Sequence, residues 1–305
     1  MTRITNTMLV NNLRQNLINN IFNLEKYQQQ LSTGRRINKL SDDPAALVKS
    51  LRLRTNLVEG EQYLANIKEG INFMETTDSA LNNLTSILHR VRELSVQAAN
   101  GTNEHSAYLA LSKEIKELTE QLSLVANTTY GTKYIFGGTN VTQPPYQEGF
   151  GTNNWAGNDN PLNLEIGVGV TMTINLTNGE MEGFFVGNGT DPGIIEILNN
   201  LANSLANDAP AVAASSADQA LGIIDQFMDK LLSARATVGA KINRLELQKS
   251  RLETTQVSFT GLLSQNEDAD IAEVIMQLKM QESVYLASLA AGARIIQPSL
   301  VDFLK

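Results

Sequence analysis

No cysteine occurs among the 305 residues. Disulfides, thiol nucleophiles and cysteine-ligated metals are therefore excluded. Histidine is nearly absent: His89 and His105 are the only two, and no third ligand accompanies them. No cofactor and no metal is expected. Aromatic residues make up 6%, with Trp155 the single tryptophan. Basic residues are outnumbered 24 to 32, a net charge of −8, which argues against a nucleic-acid-binding face. Arg35, Arg36 and Lys39 stand beside Asp42 and Asp43, so they read as a solvated loop or a subunit contact. No stretch approaches the ~20 apolar residues of a membrane span, and no membrane insertion is expected. The opening twenty residues interleave leucine with Asn, Arg and Gln, so no cleaved leader is expected. Gly137-Gly138-Thr139 lacks the lysine and spacing of a phosphate loop and reads as a turn. There is no nucleophile-elbow pattern. With no catalytic constellation in view, the chain is read as a non-enzyme.

What is present is helical periodicity. Leu221, Ile224, Met228, Leu231, Arg235, Val238, Ile242, Leu245, Lys249, Leu252, Gln256, Phe259 and Leu263 alternate three- and four-residue steps. That spacing predicts a narrow apolar seam on a long helix. No proline interrupts residues 215–264, so the helix would run about 75 Å at its rise per residue. Such a seam needs partners of similar length. Arg235 and Lys249 stand within it, either to specify register or because the seam is locally open to solvent.

The partners lie at the other end of the chain. Residues 4–31 read as an amphipathic helix marked by Leu9, Leu13, Leu17, Ile21, Leu24 and Leu31. It should stop at Gly34. Asp43 caps the next helix and Pro44 opens it. That helix spans 44–99, with one skip of register near Thr77. A third, 104–127, is antiparallel to it. Periodicity then fails. Lys133–Phe136 reads as a strand. Alternation from Leu162 to Leu176 reads as one strand or a bent pair. Asn178-Gly179 signals a hairpin with 183–186 as the return strand. A short helix covers 193–207. A last helix runs from Ile271 to about Ile296 through Val274, Leu278, Tyr285 and Leu289, before an apolar tail with Leu300 and Phe303.

The fold class expected is mainly α with an inserted β-rich domain. An elongated antiparallel helical bundle or coiled coil is built from both chain ends, with the β domain at its tip. Three domains follow: 1–43 with 265–305, a terminal coiled coil; 44–140 with 193–264, a helical rod; and 141–192, the β insert. Each buried Leu or Ile is worth ~1.5–3 kcal/mol, while ordering backbone costs ~1–2 kcal/mol per residue. A lone terminal pair with one seam should be marginal and complete itself between subunits. The assembly contacts are placed on the six stripe residues of the first helix and on Gly34, Arg35, Ile37, Asn38, Asp43 and Pro44 of the link. On the last helix and tail they are Ile271, Val274, Leu278, Tyr285, Leu289, Ile296, Leu300 and Phe303. On this reading Leu278→Asp spares the monomer and blocks assembly.

Leu31-Ser32-Thr33-Gly34-Arg35-Arg36-Ile37-Asn38 with Asp42-Asp43-Pro44-Ala45 resembles the N-terminal signature of the flagellin superfamily. Arg3-Ile4-Thr5-Asn6, Val238 to Leu245 and Arg294 to Leu304 are similar to the hook-associated, hook–filament junction branch of that superfamily. The resemblance covers about 1–140 and 215–305. It implies a secreted structural subunit of the extracellular bacterial flagellum, needed for motility and exported by the flagellar type III route. It further implies a ring of identical copies between the first hook-associated protein of the hook end and flagellin, with an export chaperone on the C-terminal region. Two other readings stay open, a filament flagellin and a secreted coiled-coil adhesin or effector.

Overall fold

The computed structural model describes residues 6–100, 104–148, 154–176, 179–187 and 191–296. Seven helices and four short strands occur among them. Their order is α1 (Asn6–Thr33), α2 (Pro44–Ala99), α3 (His105–Ala126), β1 (Thr129–Tyr130), β2 (Lys133–Tyr134), β3 (Asn163–Gly167), β4 (Val170–Thr173), α4 (Glu180–Phe185), α5 (Ile194–Asn207), α6 (Pro210–Glu267) and α7 (Ile271–Ile296). The chain is mainly α with a small β component. None of the described helices is long and apolar enough to cross a membrane. The contacts divide it into two compact units, residues 1–59 with 254–305, and residues 60–253.

Within the second unit, the expected seam of α6 is occupied. Ile224, Leu231, Val238 and Leu245 are buried. They share a core with Ile67, Met74, Leu81 and Leu88 of α2, Ile115 and Leu122 of α3, and Leu198 and Leu205 of α5. Thr77 is buried at the register skip of α2, and its hydroxyl donates to the Phe73 carbonyl at 2.9 Å. That bond lets a polar residue occupy an apolar seam. Arg235 is half-buried in the seam, and its Nε donates to Asp78 Oδ1 at 3.0 Å, tying α6 to α2.

The β component departs from expectation in two places. The alternation from Leu162 to Leu176 breaks into β3 and β4, an antiparallel hairpin pairing Leu164 with Met172. The reversal falls between them, at Val168 and Gly169. The return strand expected at 183–186 is absent; Glu180–Phe185 is helical, and Asn178 lies outside the described residues. The reason is that Phe184 and Phe185 are both buried. Adjacent strand residues point to opposite faces, whereas a helical turn lets both point inward. Phe185 stacks on Trp155 at 5.7 Å, and Phe184 meets Phe227 edge-on at 5.4 Å.

Candidate functional site

All the described residues expected to mediate assembly lie in the first unit. It is built from α1, the start of α2, the end of α6, and α7. Two features organise it, a polar joint and a helix pair.

The joint begins where α1 ends. Gly34 adopts φ +69°, a left-handed conformation open to glycine at low cost. Its carbonyl accepts the Ala269 amide at 2.9 Å. Arg35 pairs with Asp268 through a β-bridge. The Arg36 amide donates to the Glu267 carbonyl at 2.7 Å, and its guanidinium donates to the Asn266 carbonyl at 3.1 Å. Asn266 in turn reaches α2, donating to the Ala46 carbonyl at 2.8 Å and to Ser50 Oγ at 2.5 Å. Ile37 is buried beside these groups in sequence. Asn38 is held by its own donation to the Arg35 carbonyl at 2.9 Å. Asp43 Oδ1 accepts the Ala46 amide at 2.9 Å, so it caps α2 while Pro44 forms its first residue, as the sequence predicts.

Two carboxylates of the joint are held ionised. Glu267 is 5% exposed. Arg54 bonds both of its oxygens, and Arg35 Nε lies 3.7 Å away. Hydrogen bonding from Arg54 outweighs burial and, with the Ser50 hydroxyl and the two arginine charges, holds the carboxyl below the usual range. Burial alone would raise Asp42. The amides of Lys39 and Asn38, with the charges of Lys26 and Lys39, prevail and hold it low. Charge-compensated carboxylates of this kind fix geometry. They are poorly suited to acid–base work near neutrality. No cluster of three potential metal ligands occurs among the described residues.

The pair is α1 against α7. Gly34 meets Ala269, Asn20 meets Gln281 and Ser288, and Leu13 lies on Gly292. As one number rises the other falls, so the helices are antiparallel. Val274 and Leu278 are buried, and Leu13, Leu17, Leu24 and Tyr285 are half-buried. Leu9, Ile21, Leu31, Ile271 and Leu289 are exposed instead. Steps of four residues drift about 40° around a helix each time, so a ladder of leucines leaves the seam that steps of three and four would hold. The side chain of Ile296 and all of Leu300 and Phe303 lie outside the described residues.

The sequence marks Asn266 and Glu267 only as part of a polar link before the last helix, and nothing in it connects them to Arg54, because no motif marks a joint closed across the whole chain. Sequence reasoning passed over Asn20, Gln281, Ser288 and Gly292. The signal was there, since 13-17-20-24-27 and 274-278-281-285-288-292 are unbroken heptad spacings.

The outer faces of the pair carry bare apolar side chains. On α1, Ile21 is 48% and Phe22 62% exposed; on α7, Met276, Met280 and Leu286 stand out similarly. Large exposed apolar side chains on a helix pair are candidate contacts with other protein.

Comparison with known proteins agrees with this construction. Residues 4–141 match the family model of the bacterial flagellin N-terminal helical region, and residues 221–304 that of the C-terminal helical region. Flagellin of Bacillus subtilis (strain 168) is 29% identical over 301 residues, 97% of this chain and 96% of that protein. Among solved structures, a flagellar hook-associated protein from Vibrio parahaemolyticus shares the fold with a TM-score of 0.67 and 21% identity. That alignment covers 74% of this chain and all of the other. The flagellar junction protein of Legionella pneumophila aligns with a TM-score of 0.56 and 15% identity, over 73% of this chain and all of that one.

Proposed function

The chain belongs to the bacterial flagellin family, and from that premise we propose that it is a structural, non-enzymatic subunit joining the flagellar hook to the filament. The observation that carries the proposal is the α1–α7 pair, whose single seam is filled from within the chain while large apolar side chains on its outer faces stay exposed. A subunit that completes its terminal helices against neighbours needs that surface. The fold shared with hook-associated and junction proteins supports placing it at the junction.

On this reading the twenty assembly residues divide by task. The link from Gly34 to Pro44 holds the terminal pair to the start of α2 and the end of α6 within the first unit. Leu9, Ile21, Leu31, Ile271 and Leu289 meet neighbouring copies, the first hook-associated protein or flagellin. The division into terminal coiled coil, helical rod and β insert is part of the same proposal. So are export to the extracellular flagellum, a ring of copies and an export chaperone.

A second reading, filament flagellin, is supported by the end-to-end similarity to the Bacillus subtilis protein. Purified protein separates the two. A junction subunit adds to isolated hook ends and stops; a flagellin grows micrometre filaments unaided. Electron microscopy of a deletion strain gives the second measurement, since hooks lacking filaments are expected. Self-polymerisation into long filaments would replace the junction reading by the flagellin one.

A further inference from the structure

The α1–α7 seam carries a polar layer at its centre. Gln281 Nε2 donates to Asn20 Oδ1 at 3.1 Å. Asn20 Nδ2 donates to Ser288 Oγ at 3.1 Å. Ser288 Oγ donates onward to the Val284 carbonyl at 2.7 Å. Both ends of the Asn20 amide are satisfied, and the bonds run in one direction through the layer. Four residues beyond Ser288 along α7, Gly292 receives Leu13. A Cβ built on Gly292 would lie 2.7 Å from Leu13 Cδ2, so the leucine fills the space that any side chain would need.

We infer that Asn20, Gln281 and Ser288, with Gly292 as the socket for Leu13, form a register key. It admits one alignment of α1 against α7 and so selects which apolar side chains a neighbouring copy meets. The last step rests on the assembly reading above; the register itself does not.

A heptad seam repeats, so apolar packing alone tolerates a slip of seven residues. Sliding α1 one way sets Asn20 opposite Leu278 and Leu13 opposite Tyr285. Gln281 then falls where Ser288 was, and Val274 where Gln281 was. Sliding it the other way sets Asn20 opposite Gly292, with Ile295 in the place of Ser288. Either slip leaves Asn20 at most one of its two partners, and either takes Leu13 out of its socket. A half-buried amide without a partner is penalised, whereas the observed alignment satisfies both ends. A polar residue at a seam position acts in this way when it is matched in one alignment only.

The absence of native cysteine allows a direct test on the full chain at high dilution. Leu13→Cys with Gly292→Cys reports the observed register under mild oxidation, and Leu13→Cys with Tyr285→Cys reports the slip. In the parent background the slipped pair should close about tenfold less than the observed one, a discrimination of ordinary size for one matched polar layer. In an Asn20→Leu, Gln281→Leu, Ser288→Ala background the slipped cross-link should rise about fivefold or more. If that background still closes only the 13–292 pair, the key is wrong, and the joint at Gly34 and Ala269 sets the register. Should it close neither, Ser288→Ala alone decides: every apolar contact remains, and a raised slipped cross-link supports the key while an unchanged one overturns it. Attachment to isolated hooks, scored separately on the parent chain, reports on the assembly reading and leaves the register result standing either way.

Discussion

Arg54 and Glu267 meet across 213 residues of sequence, with Arg54 Nε on Glu267 Oε1 at 2.9 Å and a second bond from the same guanidinium to Oε2. The carboxylate is nearly closed to solvent, while the arginine side chain is 40% exposed. The arginine therefore bridges water and the interior of the joint. Everything else in the joint is arranged around the chain carrying this carboxylate, because Glu267 and its neighbours Asn266, Asp268 and Ala269 supply its cross-chain bonds. Removing the arginine leaves a buried carboxylate with only the Ser50 hydroxyl and the more distant Arg35 to compensate it. Arg54→Ala should cost the first unit ~1–3 kcal/mol, below the full value of a buried pair because Arg54 is partly screened.

The same pair predicts acid sensitivity. Glu267 is held below its unfolded value, near ~4.3, so its contribution is fully present above that value. It is lost as pH falls through the lower folded value. Asp42 is also held low and acts in the same direction. Circular dichroism melts of the full chain between pH 6 and pH 3 should show the terminal helices melting earlier on acidification. In Glu267→Gln the pH dependence should be shallower and the neutral-pH melt lower. An equally steep acid loss in that variant would assign the effect elsewhere.

At the far end of the pair, space rather than charge decides. Gly292→Leu would place a side chain where Leu13 now sits. Overpacking of this kind costs ~1–3 kcal/mol, only partly offset by the ~1 kcal/mol helix-propensity gain over glycine. Hydrogen exchange of α1 amides is expected to speed up in this variant. Leu13→Ala in the same chain should recover much of the protection, since it vacates the contested volume. Absence of any rescue would mean that the two residues do not share the site.

The helices were legible because their cores follow period and proline. Of the thirteen expected α6 seam positions, Ile224, Leu231, Val238 and Leu245 are buried and the other nine are half-buried. Asp43 and Pro44 announced their helix start through local chemistry. What was illegible depended on tertiary partners. Phe184 and Phe185 sit in a helix because Trp155 and Phe227 are there to receive them, and neither lies nearby in sequence. Ile21 lost its seam place to Asn20, whose amide is tolerable only with Gln281 and Ser288 opposite. Glu267 stood at the end of a long helix with no pattern to show that Arg54 would return to it.

Arg235 and Asp78 pose the converse case, a charge pair set within a long seam. Arg235 Nε and Nη2 reach the two carboxylate oxygens at 3.0 and 3.3 Å, and Nη1 reaches Asn82 Oδ1 at 3.1 Å. Both side chains keep substantial contact with solvent, so the pair itself should be worth ~0.5–1 kcal/mol. Arg235→Leu alone strands Asp78 and should destabilise by about that amount. Arg235→Leu with Asp78→Leu should return within ~1 kcal/mol of the parent, because apolar replacement of both partners suits a seam. A double-mutant cycle by urea unfolding measures the coupling. Strict additivity would remove the pair as a link between α2 and α6.

The last prediction separates folding from assembly on the terminal pair. The sequence alone suggested Leu278→Asp as a variant that spares the monomer. Leu278 is 8% exposed, inside the α1–α7 seam, so an aspartate there would bury a charge and open the pair. Phe22 is the better probe. It is 62% exposed, and its neighbours along the outer face of α1 include Asn19, Glu25 and Lys26, which are exposed as well. Phe22→Asp should shift the monomer's melt by no more than ~0.5 kcal/mol equivalent, as surface substitutions do. Incorporation at hook ends should nevertheless fall sharply, because a charge would enter an apolar contact between copies. Counting hook ends decorated by labelled protein measures it. Phe22→Leu, which keeps an apolar group of similar reach, should retain most of the incorporation. Full incorporation of Phe22→Asp would remove the outer face of α1 from the assembly surface and leave α7, with Met276, Met280 and Leu286, to carry it.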